Sequence, residues 1–148
     1  MKLKYIYGIS KITILLFLMA ISPGLAEAQT GYGMRIIKKA SSYGYTLEDS
    51  ISYKLKSGSA IDKLKKFEKN SEYFIVAFTE ENEIKDMDLY IYSETNRAIA
   101  KDIEYGPMGV ITYKPYISKE LKVNVKNFES ESTEKEYGVI LYIFAKKK

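Results

Sequence analysis

Histidine and cysteine are both absent from the 148 residues, and these two absences exclude several kinds of chemistry. Without histidine, the chain lacks the side chain that most often exchanges protons near neutral pH. Without cysteine, it has no thiolate nucleophile, and the common zinc ligands are missing as well. Neither a disulfide nor a lipid anchor on cysteine can form. The chain is compatible with an oxidising compartment but forms no disulfide there.

The chain also lacks a strong charge of either sign. Its formal net charge is +4, but residues 1–28 hold Lys2, Lys4 and Lys11 against Glu27. Removing these three basic residues and one acidic residue from the totals of 23 and 19 leaves 20 and 18, a net charge of +2. Nucleic-acid binding needs a dense basic stripe, so we expect no nucleic-acid partner.

The sequence predicts a secretory leader over residues 1–28. Three lysines precede or flank an apolar run at residues 12–21, which has about the length of a signal-peptide core and is short for a membrane span. Ala26 and Ala28 place small residues at both cleavage-site positions. We therefore predict cleavage after Ala28 and a secreted or periplasmic protein with no membrane contact after the leader is removed. The alternative is an uncleaved N-terminal anchor.

The rest of the chain predicts a helical extension followed by one β domain. Residues 29–46 form the extension, because residues 30–43 have a short amphipathic pattern and Gly44 suits a left-handed cap. In the domain, residues 47–148, strand-like segments recur at short spacing with polar turns between them, which implies an antiparallel sandwich. The segments are residues 51–56, 73–78, 86–102 as a hairpin, 110–113, 121–126 and 137–145.

The hairpin and the segment between residues 57 and 70 have different patterns of apolar residues. In the hairpin, Leu89 and Ile91 alternate with Asp88, Tyr90 and Tyr92, so a pleated strand places the two sets on opposite faces. Between residues 57 and 70, three apolar residues recur at every third position, namely Ile61, Leu64 and Phe67. That spacing suggests a helical turn, a strand is the competing interpretation, and the local pattern does not decide.

The order of these segments resembles the bacterial pre-peptidase C-terminal domain. The resemblance runs from Tyr73 to Tyr142 and, with the strand at Ile51, covers most of the chain after the leader. The positions that match the family pattern are Asp86, Asp88, Leu89, Tyr90, Asp102, Pro115 and Asn127. The resemblance implies an all-β, jelly-roll-like antiparallel sandwich that is non-catalytic and belongs to exported proteins. Some related collagen-binding modules bind calcium.

Two departures from the family pattern change what the resemblance implies. The chain has Ser118-Lys119-Glu120 where the family typically has Gly-Thr-Tyr before the next strand. We also expect no catalytic partner domain, which argues against a role as a protease accessory. The chain is therefore most similar to the small stand-alone secreted members.

The acidic residues of the hairpin predict a calcium site. Calcium takes about six to eight oxygen ligands, and Asp86, Asp88, Asp102 and Glu104 could face one another across the hairpin. Their spacing matches no EF-hand loop. The alternative is that Asp88 and Asp102 accept hydrogen bonds from the backbone of turns while the glutamates are solvated.

Tyrosine is unusually frequent, with fourteen in the chain. Tyr90, Tyr92 and Tyr113 fall on predicted strands and are the candidate ligand-binding residues, since exposed aromatic rings can form a platform for a glycan or a protein strand. The alternative is ordinary sandwich packing in which the hydroxyl groups reach the rim.

The function expected from the sequence is that of an exported, non-catalytic module that binds a protein or a polysaccharide in the cell envelope or outside the cell. We expect no cofactor other than calcium. One alternative is a structural or envelope-stress module without a dedicated ligand. The other is a hydrolase that uses paired carboxylates or a Ser–Lys pair.

Overall fold

Two antiparallel four-stranded sheets make up most of the structure, a computed structural model that describes residues 31–147. The predicted leader and its cleavage site lie outside these residues. Within them, no helix has the length and apolar character needed to cross a membrane. The elements are α1 (Tyr32–Ser42), β1 (Thr46–Lys56), β2 (Ala60–Phe67), β3 (Ser71–Phe78), β4 (Ile84–Tyr92), β5 (Ala98–Asp102), β6 (Gly109–Tyr113), β7 (Lys119–Ser130) and β8 (Glu136–Lys147).

The short N-terminal helix is confirmed. It ends where the backbone N–H of Tyr43 donates to the carbonyl of Ala40 at 3.0 Å. Gly44 follows with a φ of +82°, the left-handed conformation that glycine adopts without steric cost. The helix and the strands fall into two units that divide between Tyr43 and Gly44.

The strands follow the order of a jelly roll. Sheet A has the order β1-β8-β3-β6 and sheet B the order β2-β7-β4-β5. The first strand therefore pairs with the last, the second with the seventh, the third with the sixth, and the fourth with the fifth. This nesting is the double Greek key of a jelly-roll sandwich, so the predicted fold class is confirmed.

The core lies between the two sheets and is built from alternate residues of each strand. In β4, Leu89 and Ile91 are fully buried in the core, as the alternation predicts. Val123 and Val125 of β7 pair with these two residues and are buried beside them. Strand β3 is buried on both faces over residues 73–78, which confirms the interpretation of its unbroken apolar run.

The ambiguous segment at residues 60–67 is strand β2, so the helical interpretation is wrong. Ile61 packs against the core and Phe67 is fully buried, whereas Leu64 is 60 % exposed. Period-two pleating explains this pattern, since residues 61 and 67 share a face and residue 64 lies on the other. The same geometry turns Lys63 and Lys65 toward the inner side of an edge strand.

Lys65 joins the edges of the two sheets. Its Nζ lies 2.8 Å from Oε2 of Glu48 and 3.0 Å from Oδ2 of Asp49, both on β1. A β-bulge between Leu47 and Asp49 allows these adjacent carboxylates to reach the same lysine. An inward-pointing charge on an edge strand disfavours pairing with a second chain, so this triad protects the open edges of β1 and β2.

Two buried tyrosines brace the turns that precede the central strands of sheet A. The hydroxyl oxygen of Tyr73 accepts a hydrogen bond from the N–H of Glu68 at 2.9 Å. The hydroxyl oxygen of Tyr137 accepts one from the N–H of Ser132 at 3.0 Å. Both donors lie five residues upstream, an arrangement like the tyrosine corner of Greek-key proteins. Each turn is thereby tied to the strand that follows it.

We expect Tyr73→Phe and Tyr137→Phe each to lower the free energy of unfolding by about 1–2 kcal/mol, because each leaves a partly buried backbone N–H without its acceptor. Urea denaturation of the folded chain measures the loss. The matched control is Tyr116→Phe, whose side chain is 80 % exposed and should change stability little. Equal stability of all three variants would contradict the bracing role.

Candidate functional site

Strands β4 and β7 build a surface of aromatic and polar side chains on the outer side of sheet B. Because Leu89, Ile91, Val123 and Val125 point into the core, the residues between them point outward. The neighbouring edge strand β2 contributes to the same side. We call this surface the tyrosine face; its residues are Asp88, Tyr90, Tyr92, Lys122, Asn124 and Asp62.

Two aromatic rings form the centre of the tyrosine face. The ring centroids of Tyr90 and Tyr92 lie 5.4 Å apart, and the ring planes differ by 14°. Both side chains are half-buried. The Nζ of Lys122 lies 5.3 Å from the centroid of the Tyr92 ring, within the range of a cation–π contact. The predicted pair thus lies on one face, and the rings are stacked.

A network of hydrogen-bonded polar side chains lies beside this aromatic pair. The Nδ2 of Asn124 donates to Oδ1 of Asp62 at 2.7 Å, and the Nζ of Lys122 lies 3.3 Å from Oδ2 of the same carboxylate. Lys122 also donates to Oδ1 of Asn96 at 2.8 Å. Asn96 has a φ of +56° in the β4–β5 turn, a conformation that asparagine tolerates. The network therefore fixes Lys122 beside the rings.

The hydroxyl group of Tyr90 is less acidic than that of an ordinary tyrosine. Burial of the hydroxyl raises the pKa of Tyr90 to about 12, and its hydrogen bond to the carboxylate of Asp88 adds to the effect. The oxygen–oxygen distance is 3.0 Å. The folded state holds the Tyr90 proton more tightly than the unfolded state does. The protonated hydroxyl therefore stabilises the folded state below pH 10, and this contribution is lost as the pH rises toward 12.

We predict that Asp88→Asn lowers the pKa of Tyr90 part of the way back toward 10. The substitution removes the negative charge that opposes tyrosinate formation, while the burial of the hydroxyl remains. Absorbance at 295 nm during alkaline titration measures this change, and Tyr90→Phe identifies which part of the curve belongs to Tyr90. A Tyr90 midpoint unaffected by Asp88→Asn would contradict the assignment.

Tyr113 does not join the tyrosine face. It lies on β6 in sheet A, where its ring meets the Phe67 ring edge-on at 5.3 Å. Burial raises its pKa. Of the three candidate tyrosines, the structure therefore brings together Tyr90 and Tyr92 and places the third against the core.

The four predicted calcium ligands lie on three elements: Asp86 and Asp88 are on β4, Asp102 ends β5, and Glu104 is in the β5–β6 connection. Oδ2 of Asp102 accepts from the N–H of Val110 at 2.8 Å, and its Oδ1 accepts from the N–H of Glu104 at 3.2 Å. Oδ1 of Asp86 accepts from the N–H of Gly106 at 3.1 Å. Asp102 thus fits the backbone alternative, whereas Asp88 bonds a tyrosine hydroxyl instead.

A metal site is not evident in the geometry of this region. Within residues 31–147, no three acidic or histidine side chains form a group that could hold a metal ion. Asp86 and Asp88 do not stand in simple alternation either, because the register of β4 against β7 shifts between Asp86 and Met87. Calcium binding at Asp86, Asp88, Asp102 and Glu104 therefore stays a prediction of the sequence.

Sequence reasoning missed Asp62, Lys122 and Asn124 as members of the site. The alternation in β7 already placed the last two on the polar side of a strand. Their relation to Tyr90 and Tyr92 depends on strand register, which the local pattern does not contain. Asp62 gave no signal at all, because its segment was not recognised as a strand.

The chain matches no protein-family model and no curated protein.

Proposed function

We propose that this chain is an exported, non-catalytic β-sandwich protein whose tyrosine face binds a polysaccharide in the cell envelope or outside the cell. The observation that carries the proposal is the stacked pair of Tyr90 and Tyr92 beside Lys122, which is held by Asp62 and Asn96. Aromatic rings supply apolar contact area, and a few fixed polar groups supply orientation.

The arrangement favours a polysaccharide over a protein strand. Sugar rings have apolar C–H faces that pack on aromatic side chains and hydroxyl groups that need donors and acceptors together. Next to the rings, the carboxylate of Asp62 supplies hydrogen-bond acceptors and Asn124 supplies a side-chain amide. The ammonium group of Lys122 supplies donors. A carboxylate can accept about four hydrogen bonds, and two contacts to Asp62 are used within the network.

Rigidity of the polar groups also supports binding. Lys122 has two partners besides the ring of Tyr92, so little side-chain freedom is left to lose when a ligand arrives. The residues lie on three neighbouring strands rather than on loops, which positions them more firmly.

The resemblance to the pre-peptidase C-terminal domain is part of this proposal. Family members are usually non-catalytic modules of exported proteins, which agrees with the leader that the sequence predicts for residues 1–28 and with the jelly-roll strand order. A protein ligand and a module without any ligand are the competing outcomes. The hydrolase alternative gains no support from Glu81, because its carboxylate accepts the N–H of Gly138 at 2.7 Å.

Tyr92→Ala should lower polysaccharide binding at least tenfold, because it removes one ring of the stacked pair and the cation–π contact with Lys122. The measurement is sedimentation of residues 29–148 with purified peptidoglycan sacculi and with insoluble plant and fungal polysaccharides. The matched control is Tyr116→Ala, which removes an exposed ring outside the tyrosine face.

Binding that is lost in Tyr92→Ala and kept in Tyr116→Ala supports the proposal. Binding that is equal in both variants contradicts the site. Absence of binding to every polysaccharide by the unmodified chain contradicts the ligand class and favours a module without a glycan ligand.

A further inference from the structure

The connection between β6 and β7, residues 114–118, presents two exposed apolar side chains. Tyr116 is 80 % exposed and Ile117 is 48 % exposed. The connection is nevertheless anchored on both sides. Pro115 is buried, and Ser118 Oγ donates to Oε2 of Glu68 at 2.7 Å while accepting the N–H of Lys69 at 3.0 Å. A fixed loop therefore carries an apolar tip, which we call the Tyr116 tip.

Basic side chains surround the Tyr116 tip. Lys114 and Lys69 are exposed on the tip and on the adjacent β2–β3 connection. Lys119 follows the tip, with its Nζ 6.0 Å from the centroid of the Tyr116 ring. The neighbouring carboxylate of Glu68 is paired with Lys66 at 2.8 Å, so it offsets little of this positive charge.

The two ends of the sandwich differ in charge. At the end that carries the Tyr116 tip, the connections 68–70, 93–97 and 114–118 hold three basic and two acidic side chains. At the other end, the connections 57–59, 79–83, 103–108 and 131–135 hold one basic and six acidic side chains. The acidic end also exposes apolar residues, with Ile103 at 49 % and Tyr105 at 73 %. Only one end therefore combines apolar residues with positive charge.

We infer that the Tyr116 tip docks reversibly on an anionic lipid bilayer. Tyr116 and Ile117 enter the headgroup region, where the amphipathic ring of tyrosine is favoured, and Lys69, Lys114 and Lys119 face the lipid phosphates. The acidic end lies at the opposite end of β6 and points away from the negative surface. The sequence predicts no membrane contact after the leader is removed, so the inferred contact differs from that prediction. It does not depend on the tyrosine face.

Vesicle sedimentation of residues 29–148, which omits the apolar leader and keeps every described residue, tests this inference. We expect the bound fraction with phosphatidylcholine vesicles that contain 30 % phosphatidylglycerol to be roughly tenfold higher than with pure phosphatidylcholine vesicles. In 0.5 M NaCl this binding should weaken, because salt screens the charges. The double variant Tyr116→Ser/Ile117→Ser should lower partition about tenfold. Lys114→Gln should lower it about fivefold.

The matched control is the double variant Ile103→Ser/Tyr105→Ser, which removes the same kinds of side chain at the acidic end. It should bind anionic vesicles like the unmodified chain, and thermal melting checks that all variants are folded. The inference is overturned by any of three results: no sedimentation with anionic vesicles, equal binding to neutral vesicles, or equal losses in the two double variants.

Discussion

Gly109→Ala is expected to lower the free energy of unfolding by about 3 kcal/mol. A Cβ atom at this position would lie 2.7 Å from the Cβ of Leu89, 3.2 Å from its backbone nitrogen and 3.3 Å from the carbonyl oxygen of Met87. Two of these three atoms belong to the backbone of β4, so no side-chain rotation relieves the contact. The sheets must separate locally, and urea denaturation measures the cost.

Gly106→Ala is the matched control for this prediction. It lies in the β5–β6 connection, three residues before Gly109, and an added Cβ would meet no atom within 4 Å. Within residues 31–147, the glycines with a positive φ are Gly44 and Gly58, so the φ of Gly106 is not positive. The control should therefore change stability by less than about 1 kcal/mol. If both variants unfold at the same urea concentration, the close approach of β6 to β4 is not a constraint.

Phe67→Ala should lower the free energy of unfolding by about 3–5 kcal/mol, the usual range for a buried phenylalanine. Its ring is fully buried and meets the rings of Tyr73 at 4.7 Å and Tyr113 at 5.3 Å, both edge-on. Phe67 lies in sheet B and both tyrosines lie in sheet A. The substitution therefore removes an aromatic contact between the sheets and leaves a cavity between them.

Leu64→Ala, on the same strand, provides the comparison. Leu64 is 60 % exposed, so its loss should change stability by no more than about 0.5 kcal/mol. Had residues 61–67 formed a helical turn, positions 64 and 67 would lie on one face and respond alike. Comparable losses for the two variants in urea denaturation would therefore contradict the strand assignment of β2.

The alternation of apolar residues was sufficient to predict most of the fold. Leu89 and Ile91 face the core as the pattern requires, and the double-sided burial of β3 follows from its unbroken apolar run. Pleating is a local property of each strand, so these predictions need no knowledge of its neighbours. The β2 segment was ambiguous because Lys63 and Lys65 occupy inward positions of an edge strand, where an apolar residue is normally expected.

Less of the candidate site could be predicted, because the site depends on which strands are neighbours. Asp62 and Asn124 are 62 residues apart in the sequence and meet through the β2–β7 pairing. The alternation tells which side of a strand Tyr113 occupies, but not that the strand belongs to the other sheet. The shared face of Tyr90 and Tyr92 is the part that the sequence predicts, since both residues lie on one strand at a spacing of two. The stacking of their rings is seen only in the structure.

The position of β8 has a consequence for when the chain can fold. This strand contains the last described residues and lies between β1 and β3 in the middle of sheet A. Synthesis proceeds from the N-terminus, so sheet A lacks the strand that joins β1 to β3 until residues 136–147 have been made. The sandwich therefore closes only after all eight strands have been made and, because β1 must meet β8, folding is comparatively slow. A chaperone or translocation pore that accepts only extended polypeptides would encounter this chain before its sandwich closes.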